Sequence, residues 1–197
     1  MAAIGVCFTL TAQASSHQRP EERGLATIDR PSAEAFVGFL ASDELEGREA
    51  GQHGGQVAAR YIASLLQQWK LKPLLGDSYF QPFEAYAPDR QLRKRPEVHP
   101  DSIAKLKQGV HQTYHMCNVL ACIEGKRRDE VVIVGAHYDH VGTDPMLEGD
   151  RIYNGADDNA SGVSAVLQIS FKSQEHCFSK MFLLADVCTK SQNIAMI

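Results

Sequence analysis

Residues 131–162 constrain this chain more than any other stretch. They read VVIVGAHYDHVGTDPMLEGDRIYNGADDNASG. The opening run, Val131 to Val134, is apolar and β-branched, which suggests a strand buried on both faces. It ends at Gly135 and Ala136, and His137, Asp139 and His140 follow at once. A polar loop then leads through Gly155-Ala156-Asp157-Asp158-Asn159-Ala160-Ser161-Gly162 into an apolar helical pattern. In open α/β sheets, ligands gather beyond the carboxyl ends of strands. His137 and Asp139 stand at that position, and Asp158 stands where the chain enters the helix.

The spacing has a chemical reading. A neutral imidazole and a carboxylate are good ligands for zinc or a similar divalent ion. Residues two apart in an extended segment point the same way, so His137 and Asp139 can approach one site together. His137 would offer a ring nitrogen. Asp139 would accept a hydrogen bond from a ligand or orient a catalytic group. Asp158 has two oxygens and can bridge two metals about 3.5–4 Å apart, a known arrangement for hydrolysis. A lone H-x-D reads more simply as a polar loop after a strand. Followed by G-A-D-D-N-A-S-G and a helix, it reads as a metal site.

These motifs resemble the co-catalytic di-zinc aminopeptidase family, whose clan also holds bacterial leucyl aminopeptidases, glutamate carboxypeptidases and glutaminyl cyclases. Two further stretches share in the resemblance. One is Phe39-Leu40-Ala41-Ser42-Asp43-Glu44-Leu45-Glu46-Gly47-Arg48 with the helix after it. The other is Asn118-Val119-Leu120 to Gly125, similar to the family's first core strand. The resemblance implies an α/β/α sandwich around a mixed sheet, of zinc-exopeptidase type. It implies that His137 binds one zinc, that Asp158 bridges two, and that Asp139 is a catalytic residue buttressing the site without binding metal. It also implies a cis peptide between Asp158 and Asn159. The implied activity is that of a zinc-dependent exopeptidase, an aminopeptidase acting on peptides with a free N-terminus.

Charge and composition limit the alternatives. The net charge of -4 offers no basic excess to suggest nucleic acid as a partner. The local cluster Arg90, Arg93, Lys94 and Arg95 reads as a solvated loop. No apolar segment is long enough to span a membrane. Residues 1–14 read as the end of a secretory signal, with an apolar stretch from Ile4 to Leu10 and an A-x-A pattern at Ala12-Gln13-Ala14. Export to a periplasmic or extracellular location is therefore expected, although the usual positive n-region is missing. The five cysteines include no C-x-x-C. Cys7 would leave with the signal. Cys117 and Cys122 fall on opposite faces of one strand and are expected as free thiols.

Residues 15–31 read as a linker broken by Pro20 and Pro31, and 32–170 as the N-terminal part of a peptidase domain. Ser32 is a candidate cap for a helix through about Ala41. The segment Glu46 to Gly51 reads as a turn with no catalytic role. Val57, Ala58, Tyr61, Ile62, Leu65, Leu66 and Trp69 mark an amphipathic helix over about 55–70, stopped by Pro73. Residues 74–87 suggest an edge strand. His111 and His115 have the i, i+4 spacing of ligands on a helix, but without H-E-x-x-H a surface helix is the plainer reading. Cys117 to Ile123 reads as a strand with Val131 to Ala136 as its antiparallel neighbour. Asp144, Glu148, Asp150 and Asp157 miss the EF-hand spacing and read as a solvated loop.

The family pattern breaks near Phe171. The resemblance calls for a strand followed by D-G-E-E, the first glutamate a general base and the second a zinc ligand, with an acidic and a histidine ligand further on. Met181 to Asp186 suits the strand, but Val187, Cys188 and Thr189 stand where the glycine and glutamates belong. Glu175 comes too early to replace them. Two plausible ligands fall short of the three that catalytic zinc normally takes. The expectation is a truncated or frameshifted chain with a divergent 171–197 tail, an incomplete sandwich, an open sheet edge, poor solubility and little activity. Its rivals are a non-catalytic peptide-binding module and a glutaminyl cyclase-like acyl transferase.

Overall fold

The computed structural model describes residues 28–89, 96–172 and 179–186. The stretch 1–14, most of the 15–31 linker, the cluster Arg90, Arg93, Lys94 and Arg95, and Glu175, Val187, Cys188 and Thr189 lie outside the described residues.

Helix α1 (Arg30–Leu40) is capped by Asp29 rather than by Ser32. Pro31 lies in its first turn, where a missing N–H costs nothing, so the helix starts earlier than Ser32. The Asp29 carboxylate accepts the Ser32 N–H at 2.8 Å, and the Ser32 hydroxyl donates to its other oxygen at 2.9 Å. A 3-10 turn (Asp43–Arg48) follows, then helix α2 (His53–Gln68). The apolar face of α2 buries Ala58, Ala59, Ile62, Ala63 and Leu66, as its periodicity requires. Trp69, just beyond its end, packs edge-on to Phe36 at 6.2 Å and against Phe171 at 5.2 Å. This aromatic row joins α1, α2 and helix α4 (Ser161–Lys172) over the sheet.

The sheet is mixed. Strands β1 (Lys72–Pro73) and β2 (Phe80–Pro88) lie antiparallel along one side of β3 (His111–Ile123). On its other side comes β5 (Ser179–Asp186), antiparallel to β3 and parallel to β4 (Arg127–His137). The order is thus β1-β3-β5-β4, with β2 also on β3. A short helix α3 (Pro100–Leu106) precedes β3.

Three expectations need correction. First, β4 is not the neighbour of β3, because β5 lies between them. The chain runs β4, α4, β5, the parallel crossover that needs a helix. Apolar Met181-Phe182-Leu183-Leu184-Ala185 thereby takes a central position, with Leu183 only 2 % exposed. The register of the β4–β5 pair shifts between Arg127 and Val131, a bulge-type irregularity early in β4. Second, β4 is not buried on both faces. It is the end strand of the described sheet, and Val131, Val132 and Ile133 are 48 %, 44 % and 63 % exposed. Only its C-terminal part, Val134 and Ala136, joins the core. Third, His111 and His115 lie on β3 and not on a helix. Four residues of strand separate them by about 13 Å, too far to share an ion. His115 instead faces Glu84 across the β2–β3 pair, Nδ1 to Oε1 3.8 Å.

Cys117 and Cys122 are free thiols, and the Asp144–Asp150 loop is exposed and closed by local side-chain bonds such as Asp144 to the Met146 N–H. Among the described residues, no helix is long and apolar enough to cross a membrane.

Candidate metal centre

Strand β4 ends at His137, at the carboxyl edge of the sheet. Because β5 runs parallel beside it, His137 is in register with Asp186, the last residue of β5. The chain leaves the sheet as an extended segment through Tyr138 to His140. It returns through Asn154 and Gly155 into a single π-type turn (Ala156–Ala160) that feeds α4. The Asn159 side-chain oxygen accepts the Gly162 N–H at 3.1 Å, capping α4. The Asp158–Asn159 peptide is cis.

This path brings together the three residues singled out in the sequence. His137 Nε2 lies 3.0 Å from Asp158 Oδ1. On its other side, His137 Nδ1 meets the Asp139 backbone oxygen at 3.1 Å and its carboxylate at 3.6 Å. The Asp139 side chain is 7 % exposed, whereas that of Asp158 is 69 % exposed. The site therefore has an interior acid behind the imidazole and an open acid in front of it. His140 stands at the rim, its Nδ1 3.9 Å from Asp158 Oδ2.

The electrostatics follow from this placement. The Asp139 carboxylate, aided by its own backbone oxygen and by Asp158, pushes the His137 imidazole up to about 9 against the effect of burial. Burial lowers the pKa of His140 despite the pull of Asp158. The two histidines, three residues apart, are thus biased in opposite directions.

Arg48 has no site role in the sequence reading, in which it closes a stretch that shares in the family resemblance and lies in a turn, Glu46 to Gly51, without a catalytic part. In the structure it is 0 % exposed. Its Nε donates to the Tyr138 backbone oxygen at 2.7 Å, and its Nη2 to that of Gly155 at 2.9 Å. Its Nη1 donates to the Asn154 oxygen at 2.6 Å and also to that of Leu40. Burial lowers its pKa, and Asp139 and Asp158 oppose that shift. Three of the four acceptors lie 90 to 107 residues away, so no local pattern could mark this arginine.

The donor set can be tested against a divalent ion. Two atoms bound to one tetrahedral zinc at ordinary lengths sit about 3.3 Å apart. The His137 Nε2 to Asp158 Oδ1 separation of 3.0 Å suits that requirement, and Asp139 behind the ring suits the usual partner of a metal-bound histidine. The pair fits as two ligands of one ion. Among the described residues, no group of three or more His, Cys, Asp or Glu forms a fuller set.

Comparison with known proteins bears on this geometry. The model of peptidase family M28 matches residues 118–178, which include β4, the site loop and α4. The chain resembles the M28 peptidases. Among solved structures, an aminopeptidase from Aneurinibacillus sp. strain AM-1 superposes with a TM-score of 0.59 at 13 % identity, over 84 % of this chain and 64 % of that one. A zinc aminopeptidase from Bacillus subtilis gives 0.51 at 15 % identity, over 79 % and 60 %. A glutaminyl cyclase from Bacteroides thetaiotaomicron also gives 0.51, at 19 % identity, over 80 % and 46 %. At such identities the likeness is one of fold, and the α/β fold with its mixed sheet is that of the zinc aminopeptidases. The chain spans less than two thirds of the length of each of these three relatives. No curated protein sequence matches. The M28 match does not reach Arg48 and its turn.

Proposed function

We propose that this chain carries part of a zinc-dependent exopeptidase site of the aminopeptidase kind, with His137 and Asp158 as metal ligands and Asp139 as the residue that orients His137. The observation that carries the reading is the convergence of His137 Nε2 and Asp158 Oδ1 at 3.0 Å at the carboxyl end of β4. The M28 resemblance and the peptidase-like fold support it. Bound there, zinc would polarise a scissile carbonyl and supply an activated water. The chain's own residues do the rest. Asp139 holds the imidazole by its Nδ1 edge, leaving Nε2 for the metal. Asp158, open to solvent, is reachable by a peptide and can reach a second ion with its other oxygen. The substrate class is a peptide with a free N-terminus, and the apolar 1–14 stretch favours export.

Two ligands hold an ion weakly, and Cys188 and Thr189 stand where the resemblance calls for the base and a third ligand. The polypeptide alone is therefore expected to bind zinc loosely and to turn over substrate poorly or not at all. Equilibrium dialysis against zinc, paired with hydrolysis of aminoacyl-nitroanilides, tests both parts. Weak zinc binding lost in Asp158→Asn, with hydrolysis at background, is the expected result. Zinc binding equal in wild type and Asp158→Asn would overturn the ligand assignment. Brisk metal-dependent hydrolysis would overturn the expectation of inactivity.

A further inference from the structure

We propose that Arg48 is a positioning residue for the candidate metal centre, a buried clamp that holds His137 and Asp158 at their mutual distance. The proposal rests on the metal-centre reading above, and it concerns a residue outside the M28 match.

Two chain segments must be held against each other for the pair to converge. One is the exit of β4, Tyr138 to Gly142, and the other is the loop that re-enters at Tyr153 to Asp158. Arg48 bonds both: its Nε reaches Tyr138, which sits between His137 and Asp139, while Nη1 and Nη2 reach Asn154 and Gly155, four and three residues before Asp158. The planar guanidinium presents its donors in a fixed fork, so satisfying these acceptors fixes their relative positions. The backbone of the same turn adds to this. His140 N–H donates to the Arg48 oxygen and Gly142 N–H to the Gly47 oxygen, each at 3.0 Å, while Tyr153 N–H donates to the Gly142 oxygen at 3.0 Å. Asn154 returns the contact, its Nδ2 donating to Ala41 at 2.8 Å and to Asp43 at 2.7 Å.

The packing leaves no slack. Gly155 has φ +62°, and a Cβ there would lie 2.7 Å from His140 Cγ and 2.8 Å from Arg48 Nη2. The buried cation also has an electrostatic role. It sits close enough to Asp139 and Asp158 for each to act on it, so it offsets the carboxylate charge gathered around His137. Full burial of a guanidinium is costly unless its donors are satisfied. Here carbonyls from three chain segments meet them, and those segments include both sides of the site.

The test uses the full chain, with Arg48→Met to remove the fork and Arg48→Lys to keep the charge without it. Cobalt(II) serves as the probe, followed by its visible absorption, together with amide hydrogen exchange on the metal-free chain. The expectation is a roughly 10- to 100-fold loss of cobalt affinity with altered bands in Arg48→Met, and an intermediate loss in Arg48→Lys. In the metal-free chain, amides of His140, Gly142 and Ala160 should exchange faster in Arg48→Met while those of Val119 to Ile123 stay slow. A uniform loss of protection, or unchanged cobalt affinity and bands alongside a lowered melting temperature, would reduce Arg48 to a general stabiliser and overturn the proposal. Wild type that binds no cobalt defeats the metal-centre reading itself. The exchange pattern then decides the clamp alone, and unchanged exchange at those amides overturns it.

Discussion

At the scale of single residues, His137 and His140 give the metal-free chain opposite responses to pH. Asp139, before any other group, raises His137 to about 9 in the fold, from an ordinary value of 6.5. The fold then binds this proton more tightly than the unfolded chain does. That stabilisation is complete below about pH 6.5 and is lost as the pH rises through about 9. His140 is lowered by burial, so its contribution is present above about 6.5 and fades as the pH falls. Thermal melts of the metal-free chain across this range should peak near pH 6.5. Asp139→Asn should lower the His137 midpoint and flatten the alkaline fall; an unchanged alkaline limb would contradict the assignment. Metal must displace the same proton, so affinity should rise about tenfold per pH unit until pH 9 is approached.

At the scale of elements, the parts that local chemistry dictates were legible, and those set by distant contacts were not. The α2 helix shows its 3.6-residue apolar period, and His137, Asp139 and Asp158 declare themselves by residue type at a strand end and a helix start. Three features lacked such a signal. Asp29 displaces Ser32 as a cap because Pro31 occupies the first turn. β5 enters between β3 and β4, although a short turn between sequential strands usually means a hairpin. Arg48 finds its partners about a hundred residues away. Two substitutions probe these elements by urea unfolding. Leu183→Ala should cost about 2–5 kcal/mol if β5 is truly central. A value near zero would place that strand elsewhere. Gly47→Ala should cost more than about 1 kcal/mol, since Gly47 has φ +67° and a Cβ would lie 2.2 Å from the Gly142 oxygen. A neutral effect would mean that the turn does not dock on the site loop as described.

At the scale of the whole molecule, the sheet ends on a strand whose Val131, Val132 and Ile133 stay exposed among the described residues. An apolar edge of this kind invites pairing between chains. Sedimentation should therefore show association of the wild-type chain that Ile133→Lys reduces; equal association in both would exclude this edge as its cause. The fold and the site depend on one another at this scale. The crossover that puts β5 beside β4 orients the carboxyl end of the sheet, and the N-terminal turn carrying Arg48 fastens the loop that brings Asp158 back to it. The central claim is that His137 and Asp158 together form the metal-binding pair. Its most direct measurement is a zinc titration followed by imidazole nitrogen NMR. The account predicts that zinc shifts the His137 Nε2 resonance, abolishes its titration near pH 9, and leaves His111 and His115 unmoved. Zinc-induced shifts at His111 or His115 with His137 untouched would contradict it.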